Sequence, residues 1–587
     1  MKYLEKKLRR LPRDAMASLQ THTVLRWSVF SLPLIFLALF YFYPLIKIVL
    51  LSFFPEGSWQ PGKLGKLVAS PVYIRILWFT IWQAALSTVL TLLFALPGAY
   101  IFARYSFLGK NLLQAAMTVP FVLPTVVVAA AFRALLGDNG LVNDWLVELF
   151  SLSAPPIRLD QTVYFFLLAH IFYNYSLIVR IVSSYWAGLD PNLRSAARML
   201  GASPWQTFRR ITLPLLMPAI SSAALLVFIF CFTSFGVVLI LGGPGYATIE
   251  VEIYRQAVQM FNLPMAAALS LIQIAINFLL MWVYARLDRK SKSSLFSESV
   301  AGSTVRPATP FDRFMVIANV VFMVLLLISP LLALVLRSFS GEDGMTLTYY
   351  SALFTTGSQS VFFVEPIKAV ANSVGFGFGA MVLAVSLGVM ASSFLASDRG
   401  GKAYDVRFQG LRGSSTTVWD ALIMLPLATS AVTLGFGYII TLNAPPLNFR
   451  DSLALVPIAH ALVAFPFVVR CILPQLRQIP HSLREAASML GASPSQVFLQ
   501  VDLPIIRRAI LVGAVFAFSI SMGEFGASAF VTRPHTPTMP VAIFRFLGQP
   551  GEMNYGQAMA MSTILMVVTC SGFWLIARLD RSGSALR

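Results

Sequence analysis

Long apolar runs separated by short polar stretches dominate this chain. Read by hydropathy, they predict six spans near 28–53, 76–103, 112–136, 162–184, 216–242 and 264–285. Six more follow near 314–338, 372–397, 419–442, 455–476, 508–532 and 556–577. Each approaches or exceeds the roughly 20 apolar residues that let a helix cross a bilayer. The expected fold is therefore an all-α polytopic membrane protein, with about 12 transmembrane helices in two homologous six-helix halves. The run after the basic segment Met1 to Arg13 is too long for a signal-peptide core and is read as the first retained span.

Two polar islands interrupt the apolar pattern and nearly repeat each other 290 residues apart. Between Leu193–Ile220 and Leu483–Ile510, 16 of 28 aligned positions are identical. Each copy reads as helix, turn, helix. Asp190-Pro191 supplies an N-cap and a first-turn proline. In the second copy Pro480 precedes Ser482-x-x-Glu485, a capping-box pattern. Gly201 and Gly491 are expected to close the first helix in the left-handed conformation. Ser203-Pro-x-Gln206 and Ser493-Pro-x-Gln496 open the next one, which Leu213-Pro214 and Leu503-Pro504 are expected to stop. The small pairs Ala196-Ala197 and Ala486-Ala487 leave a smooth face for a protein partner.

The duplication extends further. His170 and Arg180 match His460 and Arg470, and Phe235-Gly236 matches Phe525-Gly526. Thr248, Val251, Ile253 and Arg255 match Thr538, Val541, Ile543 and Arg545. The halves end in Ala285-Arg-Leu-Asp-Arg289 and Ala577-Arg-Leu-Asp-Arg581. The expected organisation is a tail at 1–27, a first half at 28–286 with loop 190–214, and a linker at 287–313. A second half follows at 314–580 with loop 480–504, then a tail at 581–587. Equal span numbers give both halves the same orientation, so the repeat is parallel, about an axis along the membrane normal.

Charge orients the chain. The N-terminal tail, Arg104 to Lys110, both repeats, Arg286 to Arg313, Asp398 to Arg412 and the C-terminal tail carry the basic residues. The loop 137–161 instead holds Asp138, Asp144, Glu148 and Asp160 against Arg158. The positive-inside rule then places both termini and both repeats in the cytoplasm, with Lys63 and Lys66 as mild exceptions. This placement absorbs the net charge of +19 without a nucleic-acid partner. The chain is 57% hydrophobic and 12% charged, about half the charge of a soluble domain, which excludes that class. Cys231, Cys471 and Cys570 lie in apolar stretches without metal-ligand or disulfide spacing.

The pattern Glu485-Ala486-Ala487, then Gly491 and Leu503-Pro504, resembles the cytoplasmic signature of permease subunits of binding-protein-dependent ABC importers. The first copy carries Ser195 in place of the glutamate, so the two docks differ. The resemblance covers nearly the whole chain and is to fused double permeases of the thiamine and ferric-iron group. Cys231-Phe-Thr-Ser-Phe-Gly236, Gly242-Gly-Pro-Gly245, Thr248-Ile-Glu-Val-Glu-Ile-Tyr254, His170-Ile-Phe-Tyr-Asn174 and Gly523-Glu524-Phe-Gly526 carry the thiamine likeness. It implies a multi-pass permease of the bacterial inner membrane, moving thiamine, its phosphates or ferric iron inward by alternating access. It implies two cytoplasmic ATPase subunits, which hold ATP and magnesium, and an extracytoplasmic substrate-binding protein. The coupling residues would be Ser195, Ala196, Ala197, Gly201, Glu485, Ala486, Ala487 and Gly491.

Other motifs carry no chemistry. Gly57 to Lys63 begins like a P-loop, but Leu64 stands where Ser or Thr would hold magnesium, and no strand precedes it. Gly375-Phe-Gly-Phe-Gly379 suits close helix packing. No catalytic set or metal site is read, so the chain is expected to be a transport subunit without cofactor of its own. Ionisable groups inside spans are costly and mark function. Glu524, within the eleventh predicted span, and His170, Asn174 and His460 are the substrate-pathway candidates. A twelve-span secondary transporter driven by an ion gradient explains two halves but not two docks.

Overall fold

The computed structural model describes residues 30–584, except 56, 60–64, 66–68, 118, 121–122, 294–303, 342–343, 356–364, 398–417 and 444–447. The N-terminal tail 1–27, the loop from Asp398 to Arg412 and much of the linker 287–313 lie outside the described residues. The first half comprises α1 (Phe30–Phe53), α2 (Pro71–Arg104), α3 (Lys110–Ala116), α4 (Thr125–Leu136), α5 (Leu141–Phe150) and α6 (Val163–Ala187). It continues with α7 (Pro191–Met199), α8 (Pro204–Phe232), α9 (Gly236–Leu241), α10 (Ile249–Tyr254) and α11 (Leu263–Ser293). The second half comprises α12 (Pro310–Phe339), α13 (Ile367–Ser397), α14 (Ala431–Thr441), α15 (Leu455–Gln478) and α16 (His481–Met489). It ends with α17 (Pro494–Gly523), α18 (Ser528–Val531), α19 (Met539–Leu547) and α20 (Glu552–Ser584).

Among the described residues, ten helices are long and apolar enough to span a membrane, or eleven with one bent pair. That pair, Val418–Ala428 and Ala431–Thr441, turns by 91° where the ninth span was expected to run straight. Thr429 and Ser430 form the corner, and the Ser430 side chain caps α14 through the Val432 amide. The expected third span breaks in the same way: α3 ends at Ala116, and α4 restarts after Pro120 and Pro124. Proline lacks the donor an uninterrupted helix would need. The twelfth expected span is helical throughout, within α20.

Two further expectations are corrected. The fifth and eleventh spans end early, at Phe232 and Gly523, and short helices α9 and α18 follow each break. Nor do Leu213-Pro214 and Leu503-Pro504 stop a helix. α8 and α17 pass through both prolines after a π-helical turn, at Phe208–Thr212 and Phe498–Asp502. The wider turn shifts the hydrogen-bond register before each proline, where an α-helical register would clash with the ring.

The first helix of each half packs against the other half. On α1, Phe30 stacks on Phe394 of α13 at 3.7 Å, and the Tyr41 hydroxyl bonds Thr429 at 2.7 Å. Conversely, Phe322 of α12 packs against Phe94 and Tyr175 of α2 and α6, at 5.5 and 6.0 Å. A short clip holds the second exchange. Arg104 and Ser106 pair through backbone bonds with Val305, and Tyr105 donates to Asp312 at 2.7 Å. In lipid these contacts gain little from water exclusion, so packing and interhelical hydrogen bonds carry them.

Candidate functional site

Both repeated loops fold almost identically. Asp190 accepts from the Asn192 amide at 2.8 Å and caps α7. In the second copy the expected Ser482–Glu485 box is not formed. α16 starts one residue earlier, at His481, so Ser482 already lies inside the helix and no side chain caps it. Gly201 and Gly491 take φ of +83° and +86°. The amides of Gly201 and Ala202 return to the carbonyls of Arg198 and Ala197, and those of Gly491 and Ala492 to Ser488 and Ala487. This paired arrangement is a complete Schellman closure. Ser203 with Gln206, and Ser493 with Gln496, form full capping boxes on the helices that follow.

The turn raises two side chains into the open. Met199 and Leu200 are 89% exposed, Met489 is 88% and Leu490 is 89%. Ser195, Ala196, Glu485 and Ala486 are exposed beside them, while Ala197 and Ala487 turn toward the loop. The exposed apolar tip is identical in both copies and is fixed in each by a left-handed glycine. The Met-Leu tips were absent from the expected site residues. Their signal was in the repeat itself, since both lie among its identical positions.

The second feature lies where the halves meet. The breaks after α8 and α17 place Phe235 and Phe525 ring on ring, with centroids 5.3 Å apart. Each is backed by its own half, Phe235 by Tyr254 at 5.5 Å and Phe525 by Phe544 at 5.4 Å. Tyr254 and Phe544 are themselves repeat partners. A cavity of about 700 Å³ is lined by Tyr254, Phe525 and Phe544 of this quartet, with Phe530, Arg450 and Arg545. Close packing at the breaks depends on glycine. A methyl on Gly435 of α14 would lie 2.9 Å from the Ala527 backbone, and one on Gly236 would collide with the Thr125 side chain.

Glu524 sits in the second break rather than within a span. Its carboxylate accepts from the Ala527 amide at 2.9 Å, which turns the chain into α18. In the first half Ser234 holds this place and bonds His170 at 2.9 Å. The two histidines play matching parts. His170 joins Ser87 and Ser234, each at 2.9 Å; His460 joins Ser521 at 2.7 Å and Ser528 at 2.8 Å. Asn174 donates to the His170 carbonyl and to the Cys231 sulfur. All three are buried, and the imidazoles tie the break to the helices around it.

Sequence reasoning missed two buried carboxylates. Glu250 accepts from Gln273 at 2.6 Å. Glu252 accepts from Gln256 at 2.7 Å and faces Arg255 at 3.5 Å. Their repeat partners, Pro540 and Ala542, are uncharged, so the acidic character is lopsided. Both residues sit on a short helix with no span of its own, where a search for charges within apolar runs does not look.

Replacing His460 with leucine leaves Ser521 and Ser528 without this partner, and each orphaned buried group costs about 1–3 kcal/mol. The expected result is a lower Tm in detergent with an unchanged KM for transport. A raised KM at unchanged Tm would instead put His460 in contact with substrate.

Parallel halves exchanged at their first helices, paired breaks at a shared axis and a duplicated loop define a two-fold membrane permease. The profile of the family described as "Binding-protein-dependent transport system inner membrane component" matches residues 95–293 and 407–583, once per half. The chain belongs to this family and is a fused double permease of an ABC importer. It is 26% identical over 518 residues to the thiamine transport system permease protein ThiP of Brucella abortus, covering 87% of this chain and 88% of that one. It is 27% identical over 501 residues to ThiP of Escherichia coli, covering 84% and 86%. A crystal structure of a bacterial ABC transporter involved in the import of alginate matches with a TM-score of 0.39 at 18% identity, covering 48% of this chain and 98% of that one.

Proposed function

We propose that this chain forms the whole transmembrane pathway of an importer for thiamine or its phosphates. The observation that carries the substrate is the similarity to thiamine permeases, which extends through both halves and not only the docking loops. The aromatic quartet adds a physical reason. Phe235 and Phe525 stack, Tyr254 and Phe544 tilt against them, and Glu524 adjoins Phe525; aromatic rings with a neighbouring carboxylate suit a flat cationic ring through cation–π attraction and charge.

In this reading residues 28–286 and 314–580 are the two halves, joined by linker 287–313, and loops 190–214 and 480–504 face the cytoplasm with both termini. A separate ATPase dimer, which holds ATP and magnesium, seats one subunit on each loop. An extracytoplasmic binding protein delivers the cargo. ATP-driven closure moves α7 and α16, and α8 and α17 carry that motion to the Phe235–Phe525 contact.

The test is uptake of labelled thiamine by vesicles holding the chain, its ATPase and its binding protein. Accumulation should be saturable, require ATP and be unaffected by ferric iron. Accumulation of iron without thiamine would overturn the substrate reading and leave the family standing.

A further inference from the structure

The two loops match in backbone but not in how they are tied to the membrane helices. In the second loop, Arg484 of α16 donates from Nε to the Asp502 carboxylate at 2.8 Å. A second nitrogen of the same guanidinium reaches the Leu476 carbonyl at 3.4 Å. Asp502 is buried at the last position of the π-turn, immediately before Leu503-Pro504. One arginine thus joins the end of α15, the helix α16 and the base of α17. In the first loop Arg194 and Thr212 hold the corresponding places, and a threonine hydroxyl offers no opposite charge. A charge-assisted hydrogen bond is roughly twice as strong as a neutral one, so the second loop is the more firmly fixed.

α17 runs from this staple to Gly523, where Glu524 and Phe525 follow at the break. A push on α16 therefore reaches the Phe235–Phe525 contact, here taken as the gate, through a braced helix. A push on α7 reaches Ser234 and Phe235 through α8 without that brace.

We propose that Arg484 and Asp502 are positioning residues that make the second loop the stiffer of two unequal levers. Motion of the ATPase then passes to the gate mainly through α17. The inference rests on the docking role proposed above for loops 190–214 and 480–504.

The test uses the full transporter in proteoliposomes and reads labelled thiamine imported per ATP hydrolysed. Asp502→Thr copies the residue of the first loop, so the fold already tolerates it in this setting. It should lower the ratio by at least about fivefold, as loss of one charged hydrogen bond allows. ATPase co-purification and ATP hydrolysis should stay within about twofold of the parent, because the exposed tip is untouched. The exchange Arg484→Asp with Asp502→Arg should restore at least half of the lost coupling. An unchanged ratio in Asp502→Thr, an exchange no better than the single variant, or loss of the ATPase from Asp502→Thr would each overturn the proposal. If the parent chain captured no ATPase at all, the docking role would fail and take this inference with it. Capture with normal coupling in Asp502→Thr would sink the lever alone.

Discussion

Gly491→Val is expected to cut ATP-driven import by roughly tenfold. Gly491 holds φ at +86°, and an added Cβ there meets nothing within 4 Å. The penalty is therefore wholly in the backbone. A side chain in the left-handed region costs about 1–2 kcal/mol, and a β-branched one sits at the upper end. That corresponds to a factor of roughly 5–30 in the population of the native turn. The strain is relieved by opening the Schellman closure, which withdraws Met489 and Leu490 from the surface they share. Combining Gly201→Val with Gly491→Val should lower import further than either alone, since the sites lie on separate loops. Import rate and ATPase co-purification should fall together. Normal import by the double variant would remove the loops from the mechanism.

The second large effect is expected at the axis. Phe235→Ala combined with Phe525→Ala removes the ring stack that joins the two breaks. Truncating a buried Phe costs about 3–5 kcal/mol where the cavity cannot collapse, and the aromatic pair adds about 0.5–1.5 kcal/mol. The contact is made by residues outside regular helix, so the loss should fall on the gate more than on the bundle. ATP hydrolysis should continue while import per ATP drops by tenfold or more, roughly what 1.4 kcal/mol or more of lost closure yields. Phe525→Leu, which keeps apolar bulk, should recover part of it. Full import by the double alanine variant would show that the stack is not the gate.

What the sequence disclosed followed the range of the interactions. The capping boxes at Ser203 and Ser493 and the left-handed turns at Gly201 and Gly491 were legible because each is settled within a few residues. The duplication was legible because its offset is constant from His170 to Arg545. The exchange of α1 and α12 was not. It is a choice between two equally apolar surfaces, and hydropathy carries no preference between them. The breaks before Phe235 and Phe525 were hidden for a related reason: apolar residues flank them on both sides, so a window averages across the gap. Pro214 and Pro504 misled because a π-turn, which has no sequence signature of its own, accommodates them. Glu250 and Glu252 stand out only once α10 is seen buried, with its Tyr254 packed on Phe235.

In the proposed transporter one chain supplies both halves of the pathway and both docks. The mass of the purified transporter decides this. Native mass spectrometry of the complex with bound nucleotide should give one copy of this chain with two ATPase subunits, and Gly491→Val should shift the distribution toward one. Two copies of this chain per ATPase dimer, or a single ATPase subunit on the unaltered chain, would contradict it.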